Sequence, residues 1–432
     1  MKNLNRGWIL TCFGTAVGAG ILFLPIRVGL SGILPILFLT LIIFPMTYIS
    51  HRGITRIVAS CPKETDIVGA VELVGMEYCS SASPKETDIV GAVEYDLGHT
   101  AGFVVSILYF LSIVTICVGY ATAVTNMLDA LLTNHFHIFL SRPFLTFVIL
   151  VVMTSVMLCN EKVMVIVTSI LTFPLIIMLM AISLYMIPEW NLSVVHHASF
   201  NLKDFIKNTL LLLPVLIFAM NFSPVCSSLG AFYKKKFPST EDAIKNSDHV
   251  VKWTSILLLV FVMFFVFSLF FSITPEILLN AREKNIDALT AIAIAYNTPI
   301  FLYTLPIIAF LAISSSYFGH FAGTREGICG IIKQLATWNN PKLKEKINIK
   351  KIKIVCTIIL VALLWIFSVY NLSVLSIIGA VSSPIIAIYA YLMPIILMKK
   401  VPRLRIYQSK WAAFVFVIGI ITIVGYCLGQ VM

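Results

Sequence analysis

The sequence predicts an all-α polytopic membrane protein. Three observations carry that prediction. The mean hydropathy is +0.97. Hydrophobic residues make up 59% of the 432, against only 12% charged. Apolar runs recur along the whole length, each with the roughly 20 residues a helix needs to cross a hydrocarbon core of about 30 Å. A water-soluble fold of this length has no way to hide so much apolar surface. The nine cysteines show no CxxC spacing and sit mostly in apolar segments, as small hydrophobes do. Signatures of catalysis (HExxH, GxSxG, a P-loop, paired carboxylates within a span) are absent, so no enzyme is expected.

Eleven spans are read in order, near 7–29, 31–50, 101–131, 143–160, 163–187, 207–230, 252–274, 299–323, 353–370, 372–397 and 411–430. The first follows Lys2 and Arg6 and is too long for a signal-peptide core, so it reads as a retained span. With the N-terminus inside, only Arg27, Arg142, Lys203, Lys207, Arg282 and Lys284 of the 31 basic residues fall outside. That bias is the positive-inside pattern, so the net charge of +11 reports topology and not nucleic acid binding. One transmembrane domain is expected over 1–397, with a first repeat at about 7–187 and a second at about 207–397. A basic cytoplasmic loop and the eleventh helix occupy 398–432. The segment PKETDIVGAVE occurs at 62–72 and again at 84–94, within a cytoplasmic loop segment 62–94. A tandem duplication tolerated in a surface loop is the plain reading, and a regulatory or partner-binding element the sharper one.

Two spans weaken themselves. The first holds Gly14, Gly18, Gly20 and Pro25, and the sixth holds FAMNFSP, from Phe218 to Pro224. They open two five-span halves. Interrupted helices at matching places of two halves point to a 5+5 inverted repeat with a midplane site between discontinuous helices 1 and 6. A break exposes N–H groups on one side and carbonyls on the other, which suits a carboxylate or a cation. The same glycines also suit close helix packing.

Four segments then identify a resemblance: FGTAVGAGILFLPI (13–26), FAMNFSPVCSS (218–228), SSYFGHFAGTREG (315–327) and IIGAVSSPIIA (377–387). They resemble the hydroxy/aromatic amino acid permeases of the amino acid–polyamine–organocation superfamily, over nearly the whole chain. The resemblance implies the leucine-transporter-type fold with eleven helices in a bacterial inner membrane, and symport of an amino acid with a cation. NFSP in span 6 looks more like the serine/threonine branch than the tryptophan/tyrosine one. Serine or threonine is therefore the expected substrate, with aromatic amino acids as the alternative. A transport-inactive amino acid sensor is a second alternative.

By position, Ala16, Val17, Gly18, Ala19 and Gly20 are implied to face the substrate carboxylate, and Phe218, Asn221 and Ser223 its amino group and side chain. Asn221 suits a substrate hydroxyl, or else caps a broken helix end. Tyr120 either closes the site from outside or packs. For ion coupling the candidates are Ser314, Ser315 and His320, the last read as the one histidine well inside a span. A proton is expected from the resemblance. Sodium is the alternative, held by Ser315 and Ser316 with carbonyls of the span 1 break; the serines alternatively back-bond to their own helix. Members of the branch often carry lysine where this chain has Ser315. No cofactor is expected. The partners are the amino acid and membrane lipids, and the oligomeric state is left open.

Overall fold

The computed structural model describes residues 2–62, 89–158, 174–193, 200–337 and 349–432, and these are helical with no strand among them. The first apolar segment is two helices, α1 (Lys2–Ala16) and α2 (Ala19–Ser31), bent by 53° at the break. Then come α3 (Ile33–Ala59), α4 (Ile89–Leu97), α5 (His99–His135), α6 (Arg142–Leu158) and the apolar stretch α7 (Pro174–Glu189). The sixth segment is again a pair, α8 (Leu202–Ala219) and α9 (Ser223–Lys236), bent by 40°. It is followed by α10 (Thr240–Ser272), two short helices α11 (Pro275–Glu283) and α12 (Ala288–Tyr296), and α13 (Pro299–Thr337). The chain ends with α14 (Ile349–Val369), α15 (Val374–Lys400) and α16 (Ala412–Val431).

Seven described helices are long and apolar enough to cross a membrane, or nine when each bent pair counts as one span. Two shorter apolar helices, α6 and α7, flank residues 159–173, which lie outside the described residues along with the start of the expected fifth span. Capping explains several starts. The Asn201, Ser239 and Asp287 side chains accept backbone N–H bonds from the first turns of α8, α10 and α12. Large apolar side chains such as Leu41 and Ile358 stay exposed, as lipid-facing residues do.

In the bundle α13 runs along α5, α3 lies against α9 and α10, and α8 lies between α2 and α16. The end that carries Lys2 is tied by ions. Arg56 of α3 makes a two-pronged pair with Asp248 of α10 and also donates to the Tyr407 carbonyl at 2.8 Å. Arg403 pairs with Asp96 and donates to the Ser60 carbonyl. The duplicated loop lies mostly outside the described residues, but the end of its second copy is seen: it begins α4. The Ile89 N–H of α4 donates to Ser227 of α9 at 2.8 Å, and Ile89, Ala92 and Val93 are buried. Excising residues 62–83 would still leave Cys61 followed by PKETDIVGAVE. Such a chain is therefore expected to take up amino acid within about twofold of the parent rate, since loops absorb length changes cheaply; loss of uptake would make the duplication an active element.

Candidate functional site

A helix that stops at Ala16 leaves the carbonyls of its last turn without intrahelical donors. Ser316 of α13 comes to them. Its hydroxyl donates to the Val17 carbonyl at 2.6 Å, with the Gly14 and Thr15 carbonyls both at 3.3 Å. Gly18 lies in extended backbone (φ −156°) and gives the next helix no side-chain cap. Among the described residues no side chain accepts from the N-terminus of α2, at Ala19 and Gly20.

The packing around the two glycines is closed. A Cβ on Gly18 would stand 2.5 Å from Ser316 Oγ and 2.9 Å from the Tyr120 hydroxyl. A Cβ on Gly20 would stand 2.6 Å from the Phe218 ring and 2.8 Å from Ala219 Cα. The two breaks therefore meet: the start of α2 lies against the end of α8. Tyr120, buried on α5, sets its ring edge-on to Phe218 at 6.1 Å and to His320 at 5.3 Å.

At the second break, α8 ends at Ala219 and α9 begins at Ser223. Asn221 Oδ1 accepts the Ser223 N–H at 3.3 Å, so Asn221 caps the helix that follows it. The preceding N–H, that of Phe222, donates to His51 Nε2 at 3.0 Å. His51 Nδ1 lies 2.8 Å from the Thr47 carbonyl, so this nitrogen carries the proton and the imidazole is the neutral Nδ1–H tautomer. The ring also stacks on Phe222 with centroids 3.9 Å apart.

His51 corrects two expectations. The second apolar run in the sequence ends near residue 50, but α3 continues to Ala59. His51 is 1% exposed and lies well inside the helix, so His320 is not the one histidine buried within a span. His320 itself is buried, and its Nδ1 lies 2.8 Å from the Ser316 carbonyl. Ser315 back-bonds to the Ala312 carbonyl at 3.1 Å, and the buried Ser314 hydroxyl has no partner among the described residues. Of the three serines only Ser316 reaches the break. The structure thus brings together Ala16 through Gly20, Tyr120, Phe218, Ser316 and His320, with Asn221 and Ser223 at the second break. Ser314 and Ser315 make no described hydrogen bond to it.

The last helix to shape this centre is α15, whose backbone widens to π-helix at Ile377–Ser382 and Ala387–Leu392. Ser383, between those stretches, shares its hydroxyl between the Ile378 carbonyl at 2.6 Å and the Pro214 carbonyl of α8 at 2.7 Å.

The model of the tryptophan/tyrosine permease family matches residues 4–426. Serine transporter SdaC of Escherichia coli strain K12 is 33% identical over 430 residues, covering 98% of this chain and 94% of that protein. Threonine/serine transporter TdcC of Escherichia fergusonii is 31% identical over 443 residues, with the same coverage of 98% and 94%. Among solved structures, MhsT in complex with L-phenylalanine is similar at a TM-score of 0.57 and 12% identity, over 98% of this chain and 97% of that one. A likeness at that identity concerns the fold alone.

Proposed function

The chain belongs to the tryptophan/tyrosine permease family, and from that membership we propose that it imports serine or threonine by cation symport with alternating access. It is a multi-pass membrane transport protein and not an enzyme. The proposal extends to eleven spans in two five-span halves, set in a bacterial inner membrane with the N-terminus cytoplasmic. One observation carries the substrate site: two helix breaks meet in the buried centre, and the N-terminus of α2 has no side-chain cap there. A substrate carboxylate supplies the missing acceptor. Tyr120 and Phe218 close on the same point, which favours a small side chain over an indole. The similarity to serine transporter SdaC and threonine/serine transporter TdcC supports serine and threonine as substrates.

The test is uptake of labelled serine into proteoliposomes, competed by threonine, tryptophan and tyrosine. Competition by threonine alone supports the proposal. Competition by tryptophan with no serine flux would transfer it to the aromatic alternative, and binding without flux would make the chain a sensor.

For coupling, a proton remains the reading taken from the family, with His320 as its titratable group. A second reading has a specific observation behind it. Ser316 Oγ and the carbonyls of Gly14, Thr15 and Val17 are hard oxygen donors gathered at one point. A sodium ion suits that set. Both readings pass through Ser316, whose hydroxyl meets the break and whose carbonyl meets His320. Ser316→Ala is expected to lower uptake about tenfold, the worth of one buried hydrogen bond to otherwise orphaned acceptors. Uptake driven separately by proton and sodium gradients assigns the ion, and a variant indistinguishable from the parent under both would remove Ser316 from the site.

A further inference from the structure

A crevice between α3, α15 and the start of α16 lies at the end of the bundle that carries Lys2, the expected inner side. Arg52, Gly53, Met398, Tyr407, Ser409 and Ala412 are among the residues that line it. The helices meet closely here: a Cβ on Gly53 would stand 2.8 Å from the Pro394 Cβ. The crevice holds only about 10 Å³, the room of one water. Any larger ligand therefore rests at its rim. Arg52 is half-buried there, about 10 Å along α3 from its end at Ala59. Its guanidinium lies 4.7 Å from the centre of the Tyr48 ring and donates to the Tyr48 hydroxyl at 3.1 Å.

The rim is basic without compensation. Lys399 and Lys400 follow Met398, Arg405 Nε donates to the Lys399 carbonyl at 3.3 Å, and Lys410 follows Ser409; all four are exposed. No acidic residue occurs between Lys346 and Met432. The ion pairs found among the described residues engage Arg56, His99 and Arg403, and none engages Arg52 or these four. Arg56, one helical turn beyond Arg52, meets a carboxylate; Arg52 meets a phenol. The rim is also fixed. The short 3₁₀ turn Pro402–Tyr407 carries Arg405. Arg403 of that turn is held by Asp96 and the Ser60 carbonyl, and its Tyr407 carbonyl accepts from Arg56. Beside the cations, Ile406 is 79% exposed and Trp411 61%. Water alone suits the cations and penalises the isoleucine, and hydrocarbon alone does the reverse. The headgroup level of a bilayer suits both, and tryptophan favours that level.

We propose that this rim binds an anionic phospholipid of the inner leaflet, its phosphate held by Arg52 and the basic residues of segment 399–410 and its acyl chains lying along α15 and α16. A basic recess between transmembrane helices on the inner side is the setting in which such headgroups bind. The planar guanidinium of Arg52 suits a phosphate, and the lysines add point charges. On the two helices Ile396, Val417 and Ile420 are exposed and offer apolar surface to the chains. A soluble anion would use the charges and leave Ile406 and Trp411 in water; a lipid engages both. The site is separate from the helix breaks, and the proposal does not depend on the transport reading.

The experiment uses the full chain in phosphatidylcholine vesicles that contain brominated phosphatidylglycerol, which quenches the tryptophans it touches. Trp411 is the reporter, read as the difference from Trp411→Phe. Brominated phosphatidylcholine gives the reference. The parent is expected to prefer phosphatidylglycerol about tenfold at low salt, and less as salt rises. Arg52→Gln should lower that preference about fivefold, the worth of one basic residue beside an anionic headgroup. Arg52→Lys should recover most of it, because the charge is kept. Joint replacement of Lys399, Lys400 and Arg405 by glutamine should abolish it. Lys351→Gln with Lys353→Gln is the control; both lie on α14, which packs against α5 and α6, and the preference should stay within twofold. A parent without preference overturns the site, as does a preference that survives in the Arg52→Gln and triple variants. An equal loss in the α14 control also overturns it, because the whole basic surface then attracts lipid without a site. Loss of quenching on adding millimolar inorganic phosphate at constant ionic strength overturns the lipid and makes the rim a soluble-anion site. Serine flux enters none of these readings, so the transport proposal stands or falls separately.

Discussion

Gly18→Leu is expected to abolish amino acid uptake, by at least about a hundredfold, in a chain that still inserts and folds. The reason is steric and local. The backbone at Gly18 is extended, a conformation any residue adopts, so no torsional strain is involved. What the position lacks is room. The first carbon of any side chain there would already lie 2.5 Å from Ser316 Oγ, 2.7 Å from Ser316 Cβ and 2.9 Å from the Tyr120 hydroxyl. Leucine adds three more carbons on the side from which a carboxylate would approach the N-terminus of α2. Overpacking of a closed core costs on the order of 1–3 kcal/mol, a cost a large helical bundle is expected to tolerate. Displacing Ser316 from the Gly14, Thr15 and Val17 carbonyls is a functional loss as well. The measurement is serine uptake by purified, monodisperse protein, with ligand-induced thermal stabilisation as a second readout. Both should vanish while the chain elutes as the parent does. Normal transport by this variant would remove the first break from the substrate site.

Much of this centre was legible because breaks are written in residue types that helices avoid. Glycine and proline in two apolar runs place the breaks, and the structure bends the chain by 53° and 40° there. Hydropathy served less well at the helix ends. It reports where lipid would begin and end, whereas a helix continues as long as its backbone and side chains are satisfied. Thus α10 starts at Thr240, twelve residues before the apolar run near 252–274, because Ser239 caps it and Asp248 pairs with Arg56. The same effect hid His51. The polar stretch from Ser50 to Arg56 resembles a loop, yet Arg56 is held by Asp248 and Arg52 lies over the Tyr48 ring at 4.7 Å. The roles of the three consecutive serines were equally unreadable. Successive helical residues point about 100° apart, so one alone can face α1, and only the packing of α13 against α5 and α1 selects Ser316.

His51→Ala is expected to cut serine uptake at low substrate about tenfold or more, although His51 lies on α3 and touches no residue of the first break in the described hydrogen bonds. It is a positioning residue. Every α-helix begins with N–H groups that lack an intrahelical acceptor. In α9 the Asn221 side chain serves one and the His51 ring serves the one before it, that of Phe222. Alanine would leave a buried N–H unpaired, at about 1–3 kcal/mol, and would remove the ring that stacks on Phe222. The Asn221 turn, which faces the proposed substrate, would then lose its fixed position. Two further variants separate the acceptor from the ring. His51→Gln keeps an acceptor of similar reach and loses the stacking; it is expected to stay within about threefold of the parent, since the hydrogen bond carries most of the effect. His51→Phe keeps the stacking and loses the acceptor; it should transport as poorly as alanine. The reverse order, with phenylalanine active and glutamine inactive, would show that α3 supports the break by filling space, and the capping role of His51 would be wrong.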